Sequence, residues 1–297
     1  MERVLITGIG GFIGMRLALA LNAIGYDVSG ISRSRIKLRN IQVYKADVLD
    51  KVALNDICKD KDIFIHLAAV TEYKKIQDSL IDNFEVGLLG TFNVLKAFTL
   101  SNSKHFIYPS SGKVYGKPFY LPYDENHKTN PETPLGKTKK ICEDMVAYFS
   151  TLSDKSFSIL RIFNVYGPGQ KESFLIPTIL SRVNESKIVL GDIRSKRDYI
   201  YIQDVVQSFI TVIKNYRKGL NIYNVGSGVN HSAGDIVNLL GNLMNKNFNI
   251  KIDKSRLRKN ESFDEGASVA KLKKLGWEPK YSLKDGLIEI LNTRRVS

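Results

Sequence analysis

The sequence predicts a doubly wound α/β fold, a mostly parallel sheet with helices on both faces. Three observations carry that prediction: short β-branched runs alternate with helix-length amphipathic segments, a glycine-rich turn joins the first strand to the first helix, and no tandem repeat or Gly/Ser linker interrupts the pattern. The strand runs are "RVLIT", "YDVSGI", "IQVYKA", "DIFIHL", "KHFIYP" and "FSILRIF". Between the fourth and fifth lies "DSLIDNFEVGLLGTFNVLKAF". After the fifth comes "LGKTKKICEDMVAYFSTL", where Cys142, Met145, Val146 and Phe149 recur at helical spacing. Strands separated by helices imply right-handed crossovers, hence parallel pairing. The chain beyond about residue 165 is expected to interleave with this sheet or pack against it.

In "VLITGIGGFIGMRLALALNAIGYDVSGI", Gly8, Gly11 and Gly14 follow a strand and open a helix, and a second strand arrives at the spacing of one βαβ unit. Glycines there let the backbone turn tightly and approach a pyrophosphate, whose charge sits at the positive end of the helix. Dinucleotide binding is the reading; a purely structural turn is its competitor.

Composition narrows the partners. At 297 residues, with 43% hydrophobic and 25% charged residues, the chain reads as a soluble globular protein able to bury a sizeable core. No apolar run reaches the length of a membrane span, and "MERVLITG" leads straight into a strand, so a cytoplasmic protein is expected. Cys58 and Cys142, far apart among apolar neighbours, read as buried free thiols. The net charge of +14 raises the question of polyanions, but the basic clusters "SRSRIKLR" and "DKSRLRKN" lack interleaved aromatics. A small phosphorylated ligand and a lysine-rich surface explain the charge without nucleic acid. The four histidines share no metal-ligand spacing and read as structural or surface residues.

Eight ordered motifs resemble the extended short-chain dehydrogenase/reductases that act on nucleotide-diphosphate sugars: "TGIGGFIG", "HLAA", "SSGKVYG", "GKTK", "LRIFNVYGPGQ", "RDYIYIQDVV", "YNVGSG" and "LKKLGWEP". The resemblance covers nearly the whole chain. It implies an NAD(P)-binding domain over residues 1–165, with later segments near 195–225 returning to it, and a smaller, mainly substrate-binding α/β part over 166–297. It assigns the cofactor to Thr7, Gly8, Gly11, Phe12, Ile13 and Gly14, with Asp47 and Val48 at the adenine, Ala68 and Ala69 along the dinucleotide and Lys139 on the nicotinamide ribose. Ser111 matches the hydroxyl that bonds the reacting sugar oxygen. Asn164, Arg197, Tyr199 and Arg258 match residues that hold the diphosphate and base of the sugar nucleotide. Plainer readings compete: Asn164 and Tyr199 as core hydrogen-bonding residues, Arg197 and Asp198 as a structural ion pair, Arg258 as one charge in a charge-rich stretch.

Two positions bear on cofactor and reaction. Relatives that prefer NAD place a carboxylate at the tip of the second strand; here stand Ser32 and Arg33, which suit a 2′-phosphate and favour NADP(H), unless Arg33 stacks on adenine or faces solvent. The 4,6-dehydratases carry an aspartate and a glutamate directly after the catalytic hydroxyl residue, whereas this chain has Gly112 and Lys113, which leaves 4-epimerase or 4-ketoreductase chemistry.

The departures are at the reacting centre. Active relatives place a tyrosine four residues before the lysine, one helical turn away, to exchange a proton with the sugar oxygen; here that position is Leu135. Relatives also usually read Asn-Val-x-Gly-Thr where this chain has Gly87 three residues before Gly90. Three explanations stand open. The proton donor comes from elsewhere, such as Tyr115, Tyr120, Tyr123 or a water on Ser111; or the chain is a non-catalytic binding homologue; or the tyrosine was deliberately replaced. The resemblance also implies a homodimer through the helices near 80–100 and 135–152, the first rich in Leu88, Leu89, Phe92, Leu95 and Phe98.

Overall fold

A computed structural model describes residues 1–72, 76, 78–185, 187–256 and 264–296. Arg258 therefore lies outside the described residues. The first half runs β1 (Arg3–Thr7), α1 (Phe12–Ala23), β2 (Asp27–Ser32), β3 (Gln42–Lys45), α2 (Lys51–Cys58), β4 (Ile63–His66) and α3 (Leu80–Phe84). A π-helical turn, Glu85–Leu89, joins α3 to α4 (Gly90–Leu100). Then come β5 (His105–Ser111), a 3₁₀ turn at Gly112–Val114, α5 (Pro134–Ser150) and β6 (Ser156–Ile162). The second half runs β7 (Asn164–Tyr166), α6 (Leu175–Ser181), β8 (Ile188–Leu190), β9 (Lys196–Tyr201), α7 (Ile202–Lys214) and β10 (Gly219–Val225). It continues through β11 (Asn230–Ser232), α8 (Ala233–Met244), β12 (Ile250–Ile252), β13 (Asp264–Glu265), α9 (Ala270–Lys273) and α10 (Leu283–Val296).

Seven strands form one parallel sheet in the order β3-β2-β1-β4-β5-β6-β10. Both faces are dry, and the side-chain alternation of a strand shows how: Val4 and Ile6 of β1 enter the core beneath α1 and α7, while Leu5 between them enters the core beneath α2, α4 and α5. A third core fills the later part, where β9 pairs with β7, β11 and β13 in a smaller sheet and β8 pairs with β12. The stretch near 195–225 thus divides: β10 is the seventh strand of the main sheet, α7 packs beside α1, and β9 belongs to the smaller sheet.

Helix α5 begins where its sequence allows. Pro134 occupies the first turn, and the Thr133 hydroxyl accepts the Gly136 N–H. Of the five apolar residues noted near 80–100, Leu95 and Phe98 are fully buried and Leu88 packs against the core; Leu89 and Phe92 are exposed. The helical period explains the split, since 95 and 98 share the sheet-facing stripe with Thr91 and Val94. The exposed apolar residues here include Leu80, Ile81, Phe84, Leu89, Phe92 and Leu100, with Ile141 and Tyr148 on α5. Among the described residues no helix is long and apolar enough to cross a membrane.

Candidate active site

The order of the main sheet reverses between β1 and β4, and Thr7, Ser32, Ser111 and the loop after β4 stand at the carboxyl ends of its strands, whereas Asn164, Arg197 and Tyr199 lie on the smaller sheet. Gly8 follows β1 in the left-handed region at φ +69°, where a Cβ would stand 2.7 Å from the Ala68 nitrogen. A Cβ on Gly14 would stand 2.5 Å from the Gly8 carbonyl oxygen, so the first turn of α1 closes directly on the loop. Gly11 caps α1 without a side-chain hydrogen bond, leaving backbone N–H groups to face a ligand. This bare backbone cradle fits a dinucleotide pyrophosphate. Phe12 and Ile13 are half-buried beside it, and the Arg16 guanidinium, 4.6 Å over the Phe12 ring, ties the helix to the carbonyls of Phe12 and Pro168.

Thr7 works inward. Its hydroxyl accepts the Ala68 N–H at 3.2 Å and lies 2.7 Å from His66 Nδ1, while His66 Nε2 lies 2.9 Å from Thr91 Oγ1. Because Thr91 donates to the Gly87 carbonyl at 2.5 Å, it must accept from His66; the imidazole therefore carries its proton on Nε2 and accepts the Thr7 proton on Nδ1. Burial pushes this histidine down to about 3, so it is neutral. The relay anchors Ala68, which with Ala69 the resemblance assigns to the cofactor. His66 is thus structural, as are His105 on Ser158 and His127 between Phe119 and Lys128.

At the positions expected to meet adenine, Asp47 accepts the Leu49 N–H at 3.0 Å, and the Val48 carbonyl accepts from Asn93 at 3.1 Å. Ser32 Oγ accepts the Ser34 N–H at 3.2 Å, and Arg33 is exposed.

Leu135, Thr138 and Lys139 line a cavity of about 10 Å³ with Ala68, Ala69, Val70, Gly87, Thr91 and Tyr108. That volume is near the minimum for one water. Leu135 therefore stands where the resemblance puts a tyrosine, sharing that cavity with Ala68, Ala69 and Lys139. Lys139 is buried, donates to the Pro109 carbonyl at 2.7 Å and sits 4.6 Å from the Tyr108 ring centroid; burial lowers its ammonium to about 8. Gly87 lies inside the π-helical turn, a local widening often found at functional sites. A Cβ at Gly87 would meet the Thr138 methyl at 2.7 Å, and its carbonyl accepts from Cys142 Sγ at 3.2 Å as well as from Thr91. Cys142, like Cys58, is a buried free thiol.

The three tyrosines offered as substitute donors each already donate a hydrogen bond within the protein. Tyr115 is buried, stacks on Tyr123 at 4.7 Å and donates to Asn224 Oδ1 at 2.6 Å; burial pushes it up to about 12. Tyr123 is buried and donates to the Gly116 carbonyl, and Tyr120 donates to Asp124 on the surface.

Ser111 ends β5 half-exposed, its hydroxyl accepting the Lys113 N–H at 3.2 Å. The Lys113 ammonium reaches both oxygens of Glu265, at 2.8 and 3.0 Å, and Glu265 also lies 3.5 Å from Arg197 Nε. Arg197 is thereby brought to the Ser111 side of the smaller sheet. Asp198, its neighbour on the strand, takes N–H groups from Ser227, Gly228 and Ala267, while Arg197 pairs with Glu265, so the competing structural ion pair of Arg197 is with Glu265. Asn164 and Tyr199 face each other in register between β7 and β9, and Asn164 donates to the Asp198 carbonyl at 3.0 Å. Glu265, Thr91 and Thr138 escaped the sequence reading. Thr91 stands in the quoted "EVGLLGTFNVL" stretch, whereas Glu265 carries no motif and is placed by strand register alone.

A glycine cradle at the switch point of a parallel sheet, with a serine closing β5 and a buried lysine on α5, defines a dinucleotide-binding protein of the short-chain dehydrogenase/reductase type. The chain belongs to the NAD dependent epimerase/dehydratase family, whose model matches residues 4–226. It is 29% identical to a putative UDP-glucose 4-epimerase of Methanocaldococcus jannaschii, with 97% of each chain covered. It is 28% identical to the GDP-6-deoxy-D-mannose reductase of Pseudomonas aeruginosa, covering 98% of this chain and 96% of that one. Among solved structures, MoeE5 in complex with UDP-glucuronic acid and NAD superposes with a TM-score of 0.92 at 25% identity, covering all of both chains.

Proposed function

We propose that this chain is an oxidoreductase acting at C4 of a nucleotide-diphosphate sugar, as a 4-epimerase or a 4-ketoreductase. The observation that carries the reading is the shared cavity: Leu135 and Lys139 meet Ala68 and Ala69 there, the arrangement expected of a site that binds nicotinamide beside a sugar. A nicotinamide bound there would supply or take hydride. The chain's own residues do the rest: the turn from Gly8 to Gly14 seats the pyrophosphate, Ser111 hydrogen-bonds the sugar oxygen, Lys139 orients the ribose, and Asn164, Arg197 and Tyr199 hold the nucleotide diphosphate. Arg33, exposed at the end of β2, favours NADP(H) over NAD. The exposed apolar residues of α3, α4 and α5 support a homodimer.

A second reading, a non-catalytic binding homologue, draws on Leu135 and on the commitment of Lys139 to Pro109. Calorimetric titration with NADPH and NADH, then with UDP-, dTDP-, CDP- and GDP-hexoses, separates the two. The proposal expects a sugar nucleotide that binds the dinucleotide-loaded protein and is converted by it. Binding without conversion, even at enzyme concentrations matching substrate, establishes the second reading instead.

A further inference from the structure

The crevice between the loops after β1 and after β4 is where a parallel sheet of this topology receives a dinucleotide. One wall is the glycine turn with the first turn of α1. The other is the chain that leaves β4 at Ala68, whose nitrogen would stand 2.7 Å from a Cβ on Gly8. A third stretch, residues 167–173 between β7 and α6, reaches both walls. On the α1 side, Arg16 donates to the carbonyls of Pro168 and Phe12, and a Cβ on Gly167 would stand 3.5 Å from Phe12 Cζ. On the β4 side, Glu72 takes the Lys171 ammonium at 2.5 Å on one carboxylate oxygen and the Ser173 hydroxyl at 3.4 Å on the other.

Between these fastenings the stretch is firm. Gln170 donates to the Val165 carbonyl at 2.7 Å, the Phe174 N–H to the Lys171 carbonyl at 3.1 Å, and the Thr178 hydroxyl of α6 to the Glu172 carbonyl at 2.6 Å. Contacts therefore run in a closed ring: from α1 to residues 167–173, across the ion pair to the chain after β4, and back through Ala68 to Thr7 and Gly8. The two fastenings differ in kind. Arg16 acts where the elements already pack together, since Phe12 and Ile13 lie against the core of the later part. The ion pair instead joins a lysine side chain that is 65% exposed to a carboxylate that is 18% exposed. A pair open to water on one side is weak enough to break and re-form. It is the fastening that can open.

We propose that residues 167–173 form a clasp across the dinucleotide crevice, anchored by Arg16 and closed by the Glu72–Lys171 ion pair, and that opening of this pair sets the rate at which dinucleotide enters and leaves. This rests on the dinucleotide-binding reading given above. The clasp governs passage rather than affinity. Glu72 and Lys171 hold each other in the free and the loaded protein alike, so breaking the pair speeds entry and release together and moves their ratio little.

The test is stopped-flow fluorescence on the full chain with NADPH and NADH, association read on mixing and release read by displacement with excess oxidised dinucleotide. Lys171→Met and Glu72→Gln should each raise both rate constants about threefold or more, as expected for losing a largely exposed pair, while Kd moves less than about twofold. The exchanged pair, Glu72→Lys with Lys171→Glu, should bring both rates back to those of the parent. The single variants break the contact from different elements, so if one fails to fold the other decides. A Lys171→Met variant that associates more slowly, or whose Kd weakens by as much as its release quickens, places the ammonium on a dinucleotide phosphate and overturns the inference. Parental rates in the single variants, or an exchanged pair as fast as they are, overturn it too. Failure of the parent to bind either dinucleotide overturns the reading beneath it.

Discussion

Gly87→Ala should destabilise the protein, and Thr138→Ser should reverse the sign. A glycine in a helical segment ordinarily costs about 1 kcal/mol relative to alanine, so the substitution would stabilise an open position. Here the new Cβ would stand 2.7 Å from the Thr138 methyl. That methyl cannot swing away, because Thr138 is buried and its hydroxyl donates to the Pro134 carbonyl at 3.0 Å, which fixes the branched side chain. Overpacking of this kind costs about 1–3 kcal/mol. The net expectation is a loss of up to about 2 kcal/mol in the parent. Serine at 138 keeps the hydroxyl and removes the methyl, so in that background Gly87→Ala should gain roughly 0.5–1 kcal/mol. Urea unfolding of the four proteins at a constant m-value measures both numbers and their coupling. Equal effects in the two backgrounds, or stabilisation in the parent, would show that position 87 does not answer to Thr138.

His66 should remain neutral across the ordinary range. Its folded value near 3 lies below the 6.5 of an unfolded histidine, so between these pH values the unfolded state binds the extra proton; stability rises with pH through that window and falls by up to about 1.4 kcal/mol per pH unit on acidification. The His66 Hε1 resonance should stay flat from about pH 8 to about pH 5, and a midpoint near 6.5 would refute the buried relay. Arg33→Ala should lower NADPH affinity about tenfold to a hundredfold and leave NADH nearly unchanged in fluorescence titration; equal losses would place the arginine on adenine. The parent should sediment as a dimer at micromolar concentration and Tyr148→Glu, which puts a charge on the exposed α5 face, as a monomer; a monomeric parent would refute the interface.

Much of this architecture was legible because it is written locally. Alternating apolar runs gave the parallel strands, since Val4, Leu5 and Ile6 must all be buried when both faces are covered. The glycine turn was legible for the same reason, as Gly8 and Gly14 answer to atoms within a few residues or on the adjacent strand. What escaped depends on distant parts of the chain. Glu265 meets Lys113 across 152 positions, and no motif signals it. The Thr7–His66–Thr91 relay joins three elements whose residues look unremarkable singly. Tyr115 and Tyr123 read as available phenols because sequence shows a hydroxyl but not the acceptor that already occupies it.

The same distinction bears on why Leu135 is there. A tyrosine replaced deliberately in an otherwise ordinary site would leave its surroundings suited to the original ring and to the asparagine that relatives place at position 87. The surroundings are suited to something else. A Cβ at 87 would press on the Thr138 methyl, and Thr138 lines the same cavity of about 10 Å³ as Leu135. On the other side of Ser111, a lysine has taken the position of a dehydratase carboxylate, and Glu265 has been recruited from the smaller sheet to hold it. Each departure has a neighbour shaped to it, and the neighbours come from different elements. A single substitution produces none of those adjustments, so the geometry favours a site rebuilt as a unit.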